Sequence, residues 1–172
     1  MTNNIKLQEV CKQLHIPVVG TTSWPLPIEA REILQESNPC PFTAADIDER
    51  LIGTTDFMPH SAIVCLFPYH VPHEGPTNLS RYTWATDYHL VVTDYLQRLV
   101  DELKTTAPDA SFSIHCDTSP LADRYMAYLA GLGFYGKNKC FINPTWGSYI
   151  VIGTVLTTLE FEPNTPMSDT CV

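Results

Sequence analysis

Positive charge is scarce in this chain. Ten Lys and Arg stand against nineteen Asp and Glu across 172 residues, a formal charge of −9. That balance excludes a protein whose whole surface clamps a nucleic-acid backbone and leaves room only for a local basic patch. Charge of either sign is thin, at 17% of residues, where a soluble domain carries about 25%. Part of the surface is therefore expected to lie against a cofactor or another domain. Glycine is outnumbered by proline, eight to fourteen, so many connections should be stiff. The longest apolar runs, around Ile63–Phe67 and Tyr149–Leu156, fall far short of the ~20 residues that span a bilayer and read as buried strands. The first ten residues lack the basic and apolar regions of a signal peptide. No membrane partner and a cytoplasmic location are expected, with the six cysteines (11, 40, 65, 116, 140 and 171) as reduced thiols. They include no C-x-x-C pair, so neither a zinc site nor a redox pair closes within the chain.

What is present is enough apolar content, 44%, to build a core and exclude global disorder. Leu7, Val10 and Leu14 recur at helical spacing and predict a helix over 4–15, then a short strand over 16–19. Pro25 and Pro27 introduce a second helix over 28–37. Residues 61–67 form a compact apolar run closed by Pro68, which predicts a central strand, and the proline-rich stretch 68–79 reads as a long loop. Over 84–104, Trp84, Tyr88, Val91, Val92, Tyr95, Leu99 and Leu103 share one helical face, with Asp87, Asp94, Arg98 and Asp101 largely opposite. A strand over 112–116 follows, then a helix opened by Thr118-Ser119-Pro120 and stopped at Gly131-Leu132-Gly133. A strand near 140–142, a turn over 143–147 and a strand over 148–158, paired through that turn, complete a mixed α/β, or α+β, domain with a central sheet flanked by helices.

Several short patterns bear on chemistry. Residues 131–136 spell Gly-Leu-Gly-Phe-Tyr-Gly, a literal dinucleotide fingerprint. The predicted order, helix then strand, is the reverse of what phosphate binding needs, so the segment reads as a helix stop and tight turn. Asp87-Tyr88-His89 begins like the cobalamin-ligating D-x-H-x-x-G, but Val92 stands where glycine should close it. The pattern falls inside the predicted helix, and His89 reads as a helix-face histidine. His70 and His73 lack a third ligand. Asp117 sits where an apolar strand ends and a helix begins, a position that suits a functional carboxylate or a simple helix cap. Arg50 follows Asp46, Asp48 and Glu49 and, on composition alone, reads as a surface ion-pair partner.

Taken together, ordered segments of the chain resemble the epoxyqueuosine reductases. They are Arg81-Tyr82 with Asp87-Tyr88-His89; Asp117-Thr118-Ser119-Pro120 through Arg124; Gly131-Leu132-Gly133-Phe134-Tyr135-Gly136-Lys137-Asn138; Pro144 with Gly147-Ser148-Tyr149; and Phe161-Glu162-Pro163-Asn164 with Pro166. The resemblance implies reduction of the epoxide of epoxyqueuosine in tRNA, with cobalamin and two [4Fe–4S] clusters as cofactors and an electron donor as partner. It implies a cobalamin-binding domain over 1–160 and, over 161–172, a linker toward a ferredoxin-like region. It makes Asp117 the proton donor and Arg50, Ser80, Phe141 and Ile152 cobalamin contacts, with cobalamin held without a protein histidine. Cys171 falls where the first cluster cysteine stands; the rest of a C-x₂-C-x₂-C-x₃-C-P run is absent from this sequence, so the chain is expected to be truncated and to hold no complete cluster. The alternatives are a cobalamin-binding module without reductase activity and a cobalamin/iron–sulfur reductase of the dehalogenase-like class.

Overall fold

The computed structural model describes residues 3–36, 47–52, 55–72 and 75–168. Helix α1 (Asn3–Gln13) leads into strand β1 (Val18–Ser23), then α2 (Glu29–Glu36) and α3 (Ile47–Ile52). Strand β2 (Ser61–Pro68), a 3₁₀ turn at Arg81–Trp84, α4 (Tyr88–Thr106), β3 (Phe112–Cys116) and α5 (Asp123–Leu129) follow. The chain continues with β4 (Phe134–Tyr135), β5 (Phe141–Ile142) and β6 (Ile150–Thr157). The main sheet runs β1-β2-β6-β3 with every neighbouring pair antiparallel, and β4 and β5 form a separate hairpin.

The period of two along β2 divides the core. Ala62, Val64 and Leu66 join one apolar cluster with Leu121, Ala122, Tyr125 and Met126 around α5. Ile63 and Cys65 join another with Leu7 and Cys11 of α1 and Val92, Leu96, Leu99 and Val100 of α4. The sheet is thus covered on both faces, which explains why β2 reads as a continuous apolar run rather than an alternating one. At Gly153 on β6 the α4 side chains come so close that a Cβ would lie 2.7 Å from Val92 Cγ1. Among the described residues no helix is long and apolar enough to cross a membrane, and the cysteines found there, at 11, 65, 116 and 140, are free thiols.

Several expectations shift. The long helix begins at Tyr88 rather than residue 84, because Asp87 caps it by accepting the backbone N–H of His89 at 2.9 Å. The Asp87-Tyr88-His89 pattern therefore lies at the helix start, not inside it. The helix after Pro120 begins only at Asp123, and its N-cap is Ala122, so Asp117 is not a helix cap. The short strand at Phe141–Ile142 pairs with Phe134–Tyr135, not with the last strand. Gly131, at φ +70°, does stop a helix and turn the chain toward a strand.

Candidate functional site

A cavity of about 1410 Å³ opens on the α5 side of the sheet, larger than the 300–1,000 Å³ of ordinary small-molecule sites. Ile150 and Ile152 of β6, Leu121 and Ala122 before α5, and Phe141 of the hairpin give it an apolar wall. Tyr69, Tyr82 and Tyr88 line it too, linked edge to face at centroid distances of 6.4 Å (Tyr69–Tyr82) and 6.0 Å (Tyr82–Tyr88). Four cations also line it, namely Arg50, Arg124, Lys137 and Lys139. In a chain with only ten Lys and Arg, this is the local basic patch that the overall charge leaves possible.

Asp117 stands at the edge where β3 ends. Its φ is +59°, and the N–H of Thr118 donates to the carbonyl of Cys116 at 2.6 Å. That i to i+2 bond around a positive-φ residue is the rarer, strained kind of γ-turn. Such strain in a non-glycine residue concentrates at functional positions. Tyr88 Oη donates to Asp117 Oδ2 at 2.6 Å, and His89 Nε2 lies 3.4 Å from the same oxygen. The other ring nitrogen, Nδ1, is 2.8 Å from Asp87 Oδ1. The hydrogen bond to Asp117 holds the Tyr88 phenol well above its ordinary range. The Asp87 carboxylate raises His89, and the bond from His89 lowers Asp87 in turn. Asp123, the first residue of α5, also lines the cavity and receives the Thr154 hydroxyl at 3.4 Å. Burial, with a smaller push from Asp117's charge, lifts its carboxyl to about 7, partly offset by that hydroxyl.

Of the residues singled out from the sequence, Asp117, Arg50, Phe141 and Ile152 all line this cavity. Ser80 is not among the lining residues; its carbonyl accepts from the N–H and Oγ1 of Thr83, and Tyr82, two positions on, reaches the wall. Cys171, like Cys40 and His73, lies outside the described residues. Tyr88 and Asp123 were missed. The first reads as one more apolar residue of an amphipathic face, the second as one acid in a helix. Their partners lie 29 and 31 residues away, beyond any local pattern.

Residues 57–118 match the family described as Epoxyqueuosine reductase QueG, DUF1730. The chain is 41% identical over 91 residues to an epoxyqueuosine reductase of Bacillus cereus, an alignment that covers 53% of this chain and 24% of that protein. It superposes with TM-score 0.82 and 27% identity on an epoxyqueuosine reductase solved with an epoxyqueuosine-modified tRNA-Tyr stem loop, covering 98% of this chain and 48% of that one. A Bacillus subtilis epoxyqueuosine reductase, solved with an aspartate catalytic loop swung out of the active site, gives TM-score 0.80 at 26% identity over 98% of this chain and 48% of that one. A B12-dependent reductive dehalogenase shares the fold, at TM-score 0.56 and 14% identity over 95% of this chain and 20% of that one. The chain thus spans about half the length of the solved reductases it matches. Over that span it is similar to the epoxyqueuosine reductases in sequence and in fold.

Proposed function

We propose that this chain is the cofactor-holding and proton-delivering portion of an epoxyqueuosine reductase, acting on epoxyqueuosine in tRNA with electrons from an iron–sulfur donor. The observation that carries the reading is Asp117: a carboxyl on a strained turn, lining a large cavity that also carries an apolar wall. A catalytic aspartate loop in the Bacillus subtilis relative supports it. Residues 1–160 would form the cobalamin-binding domain, and 161–172 would lead toward a cluster region in which Cys171 serves as the first ligand. Free thiols throughout the described residues suit a reducing, cytoplasmic setting.

The cavity fits a corrin in size and character. Phe141, Ile150 and Ile152 would pack its apolar faces and Arg50 would meet its polar side groups, whereas Ser80, outside the lining, would be a contact on the resemblance alone. No histidine is among the lining residues described, and His89 has both ring nitrogens turned to carboxylates. The cofactor would therefore bind without histidine on its metal. When bound, cobalamin supplies the electron transfer to substrate. The chain's own residues position that cofactor, exclude water and bring a proton from the Asp117 carboxyl to the epoxide oxygen.

Two measurements test this. In the cobalamin-loaded enzyme, Asp117→Asn is expected to retain the cofactor and lose turnover by roughly 10²-fold or more, the scale of general acid catalysis. Retained turnover at matched cofactor occupancy would leave Asp117 a turn-shaping residue only. Electron paramagnetic resonance of the cob(II)alamin complex is expected to show no nitrogen splitting, and a splitting lost in His89→Ala would overturn the histidine-free site.

A further inference from the structure

We infer that Asp87, His89 and Asp117 form a two-proton relay, in which His89 reloads Asp117 after its first proton has been delivered. The inference rests on the reading of Asp117 as the acid. Epoxyqueuosine and queuosine differ by the epoxide oxygen. Removing that oxygen as water breaks two C–O bonds, forms one C=C bond and consumes two electrons and two protons. The electrons come from the iron–sulfur class of one-electron donor, through the cofactor. A single carboxylic acid holds one proton. With the cavity filled and water displaced, a group already in contact with Asp117 is the shortest source of the second.

The geometry supplies one. His89 Nε2 lies 3.4 Å from Asp117 Oδ2, a separation of the kind that tightens once a site is filled. The ring cannot swing away freely, because Nδ1 is held at 2.8 Å by Asp87 Oδ1. That oxygen is in turn fixed as the cap of α4, accepting the His89 N–H at 2.9 Å. Tyr88 stacks on the imidazole at 4.0 Å and donates to the same Asp117 oxygen, so it aims the carboxyl while keeping its own proton. The charged and titratable groups around His89 are Asp87 and Tyr88 on its own element, Asp117 from the β3–α5 connection, and Tyr82 from the 3₁₀ turn against Tyr88. Cys116 faces Tyr88, Asp87 and Asp117, and Asp123 faces Asp117. The Asp87 carboxylate favours imidazolium throughout, and the Asp117 carboxylate adds to it once its own proton has left; the raised titration of His89 agrees. In sequence, Asp117 protonates the oxygen as the first C–O bond breaks. The Nε2 proton of His89 then passes to the Asp117 carboxylate, which delivers it as the second C–O bond breaks and water leaves. Neutral His89, partly exposed, refills from solvent. His89 and Asp87 are thus positioning and proton-storing residues rather than catalytic ones.

Ring-proton magnetic resonance of this chain reads the coupling without any cofactor, with His89 identified among the six histidines through His89→Gln. Its titration is expected above that of ordinary imidazole and should move down in Asp87→Asn, which retains a good helix cap, and again in Asp117→Asn. A His89 titration unmoved by Asp117→Asn overturns the relay. In the cobalamin-loaded enzyme, driven by a chemical one-electron reductant on an epoxyqueuosine-modified stem loop, turnover is expected to fall as pH rises through His89's own titration. His89→Gln should lose that pH step and roughly 10-fold in rate, less than loss of the direct acid. Asp117→Asn separates the two readings. Full activity in that variant sinks the acid assignment, whereas an inactive Asp117→Asn beside a His89→Gln enzyme of wild-type profile sinks the relay alone.

Discussion

Asp123 shows how one half-buried side chain writes a pH dependence into the fold. Its carboxyl is raised from an ordinary value near 3.8 to about 7, chiefly by burial. Between those values the folded chain keeps a proton that the unfolded chain has released. The native state then binds more protons, and stability falls as pH rises through this window, by up to roughly 4 kcal/mol once both forms are ionised. Asp123→Asn removes the titration and keeps an acceptor for the Thr154 hydroxyl. It should therefore raise the melting temperature more at pH 8 than at pH 5. An equal effect at both values would mean that Asp123 ionises normally in the folded chain. The same residue marks the limit of sequence reading at this scale. Asp117 stands out because it closes an apolar strand, and Arg50, Phe141 and Ile152 only as cobalamin contacts that the resemblance implies, whereas Asp123 lies within a resembling segment with no role implied for it. Nothing local distinguishes Asp123 from any acid in a first helical turn. Its character comes from burial in the folded chain, partly offset by the Thr154 hydroxyl from a strand 31 residues away.

Among the elements, β2 and α4 were legible because each repeats one signal over many residues: an unbroken apolar run and a 3.6-residue stripe. The errors fell at ends and in very short strands. Trp84 extends the apolar stripe of α4 backward, but the cap formed by Asp87 outweighs periodicity at that point. Two-residue strands such as β4 and β5 bury too little to impose a pattern. The packing of α4 on the sheet also makes a prediction. A Cβ at Gly153 would meet Val92 Cγ1 at 2.7 Å and Leu96 Cδ1 at 2.9 Å. Both contacts are with side chains in the fully packed α4 cluster. Gly153→Ala should cost about 1–3 kcal/mol in urea unfolding, the range for overpacking a core. In a Val92→Ala background the added methyl gains room, so the Gly153→Ala increment should shrink there. Equal costs in both backgrounds would show that α4 simply shifts to accept the methyl.

At the scale of the whole molecule, the two ends of the chain are fastened to each other across the first strand. Asn4 Nδ2 donates to the Glu162 carbonyl at 2.8 Å, and the Glu162 N–H returns a bond to Asn4 Oδ1 at 2.9 Å. Thr21, on the outer strand β1, donates its N–H to Asn164 Oδ1 at 2.7 Å and accepts the Asn164 N–H at 2.8 Å. Phe161 is buried beside α1 and α4, with its N–H bonded to Ser61 Oγ at 2.9 Å. This C-terminal strap covers part of the free hydrogen-bonding edge of the sheet, which would otherwise invite pairing with another chain. It also passes Gly131 so closely that a Cβ there would come within 2.5 Å of the Thr165 carbonyl oxygen. The strap is thus wedged between the sheet edge and the turn after α5. Because no strap residue lines the large cavity, loosening the strap should lower stability without reshaping the site. Phe161→Ala is expected to cost roughly 3–5 kcal/mol through the cavity it leaves. Asn164→Ala should cost about 1–3 kcal/mol, because it strips the Thr21 N–H of its acceptor. In chains still folded under native conditions, cobalamin affinity should change less than twofold in either variant. A large loss of affinity in Asn164→Ala at full folding would show that the strap shapes the cavity as well as closing the edge.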